Sequence, residues 1–181
     1  MTRINILKRE EMNAEQGRVW DAVKTAGGPQ GGPHWAYIRV PRLEAATQEL
    51  GAAIRGASLS KREIQVIVMT VARHWGAKYP WAVQARASLQ VGLEQAVLDA
   101  LDARKTPPLT NPREVAAHQV AHELLGDKKL SDRAYDAALK VFSLEELVAV
   151  VAMVGNFSMV CCTANAFDVT PPTDAPARLA D

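Results

Sequence analysis

From Leu147 to Phe167 the chain carries no charged side chain, over about the length a helix needs to cross a lipid bilayer. Such a run allows two architectures: a membrane span, or the central helix of an all-α protein, covered on several sides by its own domain or by a second copy. Asn156, Ser158, Thr163 and Asn165 punctuate the run, its flanks are acidic at Glu145, Glu146 and Asp168, and no Lys/Arg cluster marks a cytoplasmic side. A buried central helix is therefore expected, and no membrane partner. With 181 residues, 48% hydrophobic and 23% charged, the chain fits one soluble domain with tails. Lys and Arg total 21 against 20 Asp and Glu, so no net field draws nucleic acid. The expected partners are a small molecule and further copies of the chain.

Cys161 and Cys162 are adjacent within the apolar run. On a helix their side chains diverge by about 100°, which makes them a poor disulfide pair. With no basic residue nearby to stabilise a thiolate, they read as small hydrophobes. The segment from Met1 to Glu11 is charged and lacks the apolar stretch of a secretion signal, so the expected location is the cytoplasm.

Helix punctuation divides the rest. Lys8 to Ala26 carries Met12, Val19, Trp20 and Val23 at helical spacing and ends in Gly27-Gly28-Pro29, a mobile N-terminal helix and Gly/Pro linker covering residues 1–32. Pro41 opens a helix running to about Arg55. Ser60-Lys61-Arg62-Glu63 is a capping box, in which the serine and the acid satisfy each other's free amides. The helix it starts bears one apolar stripe through Ile64, Ile67, Val68, Val71 and Trp75, and Gly76 stops it. Pro80 is read as the first residue of the next helix, which Gly92 ends, and Glu94 to Arg104 forms a short one. Asn111-Pro112, Ser131 and Ser143 start three more, the last being the uncharged run. Pro171, Pro172 and Pro176 exclude regular structure from a tail at 173–181. No segment alternates with period two, so the fold class is all-α, with seven or eight helices and the domain proper at 33–172.

The stretch from Leu59-Ser60-Lys61-Arg62-Glu63 through Val71-Ala72-Arg73-His74-Trp75-Gly76-Ala77-Lys78-Tyr79-Pro80-Trp81 resembles the helix and turn of the carboxymuconolactone decarboxylase / alkylhydroperoxidase D family. Gly92-Leu93, Val115 to Leu125, Leu130 to Tyr135 and Leu147 to Phe167 extend the resemblance over most of 33–172. It implies an all-helical subunit that assembles into dimers, trimers or hexamers through apolar helices, here the C-terminal one. It also implies a site at the turn, where peroxidase relatives carry Cys-x-x-Cys-x-x-x-His and a Glu twelve residues before the first Cys. This chain has Ala77, Pro80 and Gln84 at the Cys, Cys and His positions and Gln65 at the Glu position. Thiol peroxidase chemistry needs an attacking thiolate, a resolving thiol and a base, and none is present there. Glutamine is no acid or base at neutral pH, but it can hydrogen-bond a carboxylate, lactone or carbonyl.

The candidate binding residues are Gln65, Gln84, Arg39, Trp81 and His34, and the candidate proton donors are His74 and Tyr79. Gln65 interrupts the face of Val68, Met69 and Ala72, and Gln84 is its expected partner, although a buried structural hydrogen bond or plain exposure would explain either amide. Arg39 could clamp a carboxylate, or be an ordinary loop arginine. Arg73 and His74 also suit a helix C-terminus electrostatically. Tyr79 and Trp81 could line a pocket mouth or simply pack. Glu114, His118 and His122 share a helix stripe, which reads as an amphipathic face, so no metal or other cofactor is expected. The expected function is decarboxylation or proton transfer on a small carboxylated, lactone or carbonyl compound. The alternatives are a binding or scaffold protein without chemistry and, third, a thiol-dependent antioxidant.

Overall fold

The structure is a computed structural model and describes residues 2–180. Among them it contains nine α-helices and no strand. In chain order these are α1 (Ala14–Thr25), α2 (His34–Tyr37), α3 (Pro41–Arg55), α4 (Lys61–His74), α5 (Lys78–Gln90), α6 (Gln95–Asp102), α7 (Pro112–Gly126), α8 (Asp132–Leu139) and α9 (Leu144–Ala166). Every boundary signal that names a capping side chain is used: Ser60, Asn111, Ser131 and Ser143 each accept a backbone N–H of the first turn. Glu63 and Glu146 reach back to close the capping boxes of α4 and α9. Gly76 and Gly92 take the left-handed conformation just after α4 and α5, at φ +58 and +81.

α4 is the hub. Its residues from Val66 to Ala72 are all buried, and it packs on α5, α6, α7 and α9. The uncharged run is α9, the central helix anticipated, whose Val150, Met153, Val154, Phe157 and Cys161 form the inner face. By length and composition alone α9 could span a bilayer. Here it packs against α3, α4, α5, α7 and α8. Leu144, Val148 and Val151 remain exposed on its outer side.

One local boundary differs from the expectation. Pro80 is the third residue of α5, not the first: the helix begins at Lys78 after Ala77. A proline fits there because the N–H groups of a first turn have no helical acceptor to lose. The single turn α2 is too short to leave a periodicity in the sequence. The N-terminal helix α1 buries Val23 and packs on α3, and Gln30 donates to the Trp20 carbonyl. The C-terminal tail is irregular but anchored: Arg86 pairs with Asp174, the Ala180 N–H reaches Asp102, and Leu179 is buried.

Candidate active site

α3 is amphipathic in the reverse of the usual sense. Leu43 and Leu50 face outward, whereas Glu44, Gln48, Gly51 and Arg55, spaced i, i+4, i+7 and i+11, follow one stripe. Glu44 is fully buried, and the other three line a solvent-open cavity of about 340 Å³ between α2, α3, α4, α5 and α9. The remaining wall is mostly apolar, with Ile64, Val68, Val83, Met153, Phe157 and Val160, which suits a small organic ligand fixed by a few polar groups.

The polar centre is a pair from α2 and α3. Both carboxyl oxygens of Glu44 lie 3.0 Å from His34 Nδ1, and Gln48 Nε2 donates to Glu44 Oε1 at 2.8 Å. The His34 side chain is 13% exposed and that of Glu44 1%. A carboxylate on Nδ1 holds the Nδ1–H tautomer, so Nε2 is left to accept a proton, or to give one when the ring is charged. The ring also meets Tyr37 edge-on at 5.4 Å, and the Tyr37 hydroxyl donates to Thr163 Oγ1 at 3.0 Å. Burial raises the Tyr37 phenol above its ordinary pKa and does the same at Tyr79, so neither is an easily ionised base.

Gln65 and Gln84 both line this cavity, from α4 and α5. They are not each other's partner. Gln65 Oε1 accepts from Ser88 Oγ at 3.0 Å, which orients the carboxamide and leaves its N–H₂ without a partner among the described residues. Tyr79 lies over Gly31 and Gly32 and beside Trp35, whose ring centroid is 6.2 Å away. Gly32 sits at φ +63, and a Cβ there would fall 2.1 Å from Tyr79 Cε1. Gly32→Ala should therefore displace the Tyr79 ring and destabilise the fold by about 1–3 kcal/mol. Thermal unfolding together with a ligand titration would register both effects, and an unchanged midpoint would refute the close approach.

Of the residues singled out from the sequence, His34, Gln65, Gln84 and Tyr79 meet at this cavity. Arg39 does not: it is exposed and donates to the Asn5 carbonyl at 2.6 Å. Arg55, one stripe position beyond Gly51, is the arginine that the cavity has. Trp81 is a core residue, 1% exposed, and its indole N–H has no acceptor among the described residues. Glu44 escaped sequence reasoning because a lone acid near a helix start reads as a favourable dipole contact. The available signal was the polar i, i+4, i+7, i+11 series running opposite the leucines.

His74 lines a different cavity, of about 210 Å³, shared with Thr70, His118 and His122. Burial, helped by the charge of His122, lowers the His118 pKa to about 4 from 6.5. A histidine that resists protonation when folded but protonates freely when unfolded costs nothing above pH 6.5 and destabilises progressively as the pH falls towards 4. The loss is on the order of 3 kcal/mol at most, after which both states carry the proton. Chemical denaturation from pH 7.5 to 4 should show that slope flattened in His118→Gln, whereas an unaltered slope would mean the group does not titrate abnormally.

The thiols stay apart from both cavities. Cys161 is buried, which pushes its pKa upward, and Cys162 is exposed. Ala77 and Pro80 are buried at the turn, where the peroxidase pattern would place sulfur.

No protein-family model matches the sequence, and no curated protein is significantly similar to it. Solved structures do match. An uncharacterised peroxidase-related protein from Silicibacter sp. TM1040 superposes with a TM-score of 0.78 at 15% identity, over 99% of this chain and 96% of its own. The alkylhydroperoxidase AhpD core protein from Ralstonia eutropha JMP134, also called an uncharacterised peroxidase-related protein, gives 0.77 at 15%, over 96% and 93%. The debrominase Bmp8, in complex with 2,3,4-tribromopyrrole, gives 0.76 at 16%, over 96% and 93%. Nine helices in this order, wrapped around α4 and α9, are the alkylhydroperoxidase D-like fold.

Proposed function

We propose that the chain is an enzyme that moves a proton on a small carboxylated, lactone or carbonyl compound held in the 340 Å³ cavity, with His34 as the acid–base group. The observation that carries this reading is the fully buried Glu44 braced by Gln48 against His34 Nδ1, since an imidazole oriented by a carboxylate is a standard device for proton transfer. In an isomerisation, His34 Nε2 takes the proton next to a carbonyl and returns it to another carbon. In a decarboxylation, the C–C electron pair moves onto the carbonyl, CO₂ departs, and the charged His34 protonates carbon. Either way the Gln65 and Gln84 carboxamides are placed to hold the oxygen on which charge develops, and Arg55 to receive a carboxylate. On the same fold the debrominase Bmp8 holds a small heteroaromatic ring, which accords with a ligand of this size.

A second reading is a binding or scaffold protein without chemistry, favoured by Ala77, Pro80 and Gln84 standing at the thiol and imidazole positions. Incubation in D₂O with a panel of γ-lactones, β-keto acids and α-substituted ketones separates the two by NMR. Saturable deuterium incorporation or CO₂ release supports the enzyme, and binding without either supports the rival. We further infer a homo-oligomer, since Leu144, Val148 and Val151 leave the outer side of α9 apolar. Sedimentation of the full chain tests that inference, and a monomer at high concentration would end it.

A further inference from the structure

The second cavity contains no residue of the first and opens on the opposite face of α4, because Thr70, Arg73 and His74 lie about half a turn around the helix from Ile64, Gln65 and Val68. It sits where α4, α6 and α7 end, and its lining carries Arg73, Arg104, Lys105 and three histidines but no carboxylate. Cations at helix C-termini are favourable in themselves, and two of those nearby are used that way. Arg73 donates to the Asp102 carbonyl at 2.7 Å and lies 3.7 Å from its carboxylate, while Lys128 donates to the Leu125 carbonyl. Arg104 and Lys105 are not so used: they have no side-chain hydrogen bond or ion pair among the described residues, and Arg104 holds a left-handed φ of 55.

His118 supplies the specificity. The Thr70 hydroxyl lies 2.8 Å from the Val66 carbonyl and 3.1 Å from His118 Nδ1. A hydroxyl has one hydrogen, and a carbonyl can only accept, so that hydrogen goes to Val66 and Thr70 must accept from His118 Nδ1–H. This tautomer leaves Nε2 as a bare acceptor, and the depressed basicity of the ring keeps it so at neutral pH. An acceptor among unpaired cations calls for a ligand that brings both negative oxygens and a hydrogen to donate.

We propose that this cavity binds a small oxyanion bearing an O–H beside its charged oxygens, the chemistry shared by a 2-hydroxycarboxylate and a protonated phosphate. Arg104 and Lys105 donate to the charged oxygens, and the ligand hydroxyl donates to His118 Nε2. The site is separate from the proton-transfer cavity and does not depend on its assignment.

The test titrates the full chain at pH 7 with glycolate, acetate and orthophosphate, following histidine side-chain resonances by ¹H–¹⁵N NMR and heats by calorimetry. Glycolate or orthophosphate should saturate at about 1–10 mM and move the His118 signals, the stronger of the two identifying the class. Acetate, which lacks the hydroxyl, should bind at least about 10-fold more weakly than glycolate, because His118 is left without its donor. Arg104→Ala/Lys105→Ala should weaken binding about 10-fold or more. His118→Phe should erase the preference for glycolate over acetate, with circular dichroism checking that each variant is folded. The proposal fails if neither oxyanion saturates, if acetate binds as well as the stronger of the two, or if the double variant binds as well as the parent.

Discussion

Replacing Arg113 with alanine should cost about 3–5 kcal/mol of stability, the largest loss expected from any single side chain outside the apolar core. Arg113 stands in the first turn of α7 and ties together three helix starts. Its Nε and Nη2 donate to Glu63 at 2.7 and 3.2 Å, and its Nη2 and Nη1 donate to Glu146 at 2.9 and 3.3 Å. Those acids are the ones that close the capping boxes of α4 and α9. A further bond reaches the Val141 carbonyl at 2.8 Å, and the guanidinium lies 4.4 Å above the Phe142 ring. Removing it leaves the Glu63 side chain, 4% exposed, beside a second carboxylate with no counterion. Arg113→Lys keeps the charge but loses the planar fork, so it should fall between the two. Urea unfolding measures this directly. A loss below about 1 kcal/mol for the alanine variant would place the cluster among ordinary surface ion pairs.

The second large effect belongs to His34. If the D₂O panel yields a turnover, His34→Asn should lower its kcat by about 10²–10⁴-fold while KM changes little, because asparagine can occupy the space but cannot carry the proton. Glu44→Gln tests positioning rather than proton transfer. A neutral amide no longer holds the imidazole as the carboxylate does, so kcat should fall by about 10–100-fold while KM changes little. Gln65→Ala should act chiefly on KM if the amide binds substrate and transition state alike. Full activity in His34→Asn would remove His34 from the mechanism, whatever binds in the cavity.

Most helix boundaries could be read from residues such as Ser60, Asn111, Ser131 and Ser143, since capping is a local transaction between neighbours, but the single turn α2 could not, so nine helices stand where seven or eight were expected. The turn after α4, with Ala77 and Pro80 at the thiol positions and Gln84 at the imidazole position, was legible through the resemblance, which matches short contiguous stretches. What escaped depends on where separate elements meet. Nothing local distinguishes Arg39, spent on the Asn5 carbonyl, from Arg55 at the cavity. Trp81 looked like a pocket aromatic because it lies close to Tyr79 in sequence, yet side chains two positions apart on a helix diverge by about 200°, one to the core and one to the cavity. Glu44 was hidden by a sound rule applied to the wrong helix. On α3 the polar stripe points inward, and Leu43 and Leu50 are left outside.

The walls of the larger cavity are drawn from a loop near Pro29, from α3, α4 and α5, and from Val160 near the far end of α9. No fragment of the chain encloses that space alone, so any compound seated there has affinity for the native state and essentially none for the unfolded one. By mass action an occupant at a hundred times its dissociation constant adds about 2.7 kcal/mol to the unfolding free energy. A library of small acids and lactones can therefore be sorted by how far each raises the melting temperature, before any reaction has been assumed.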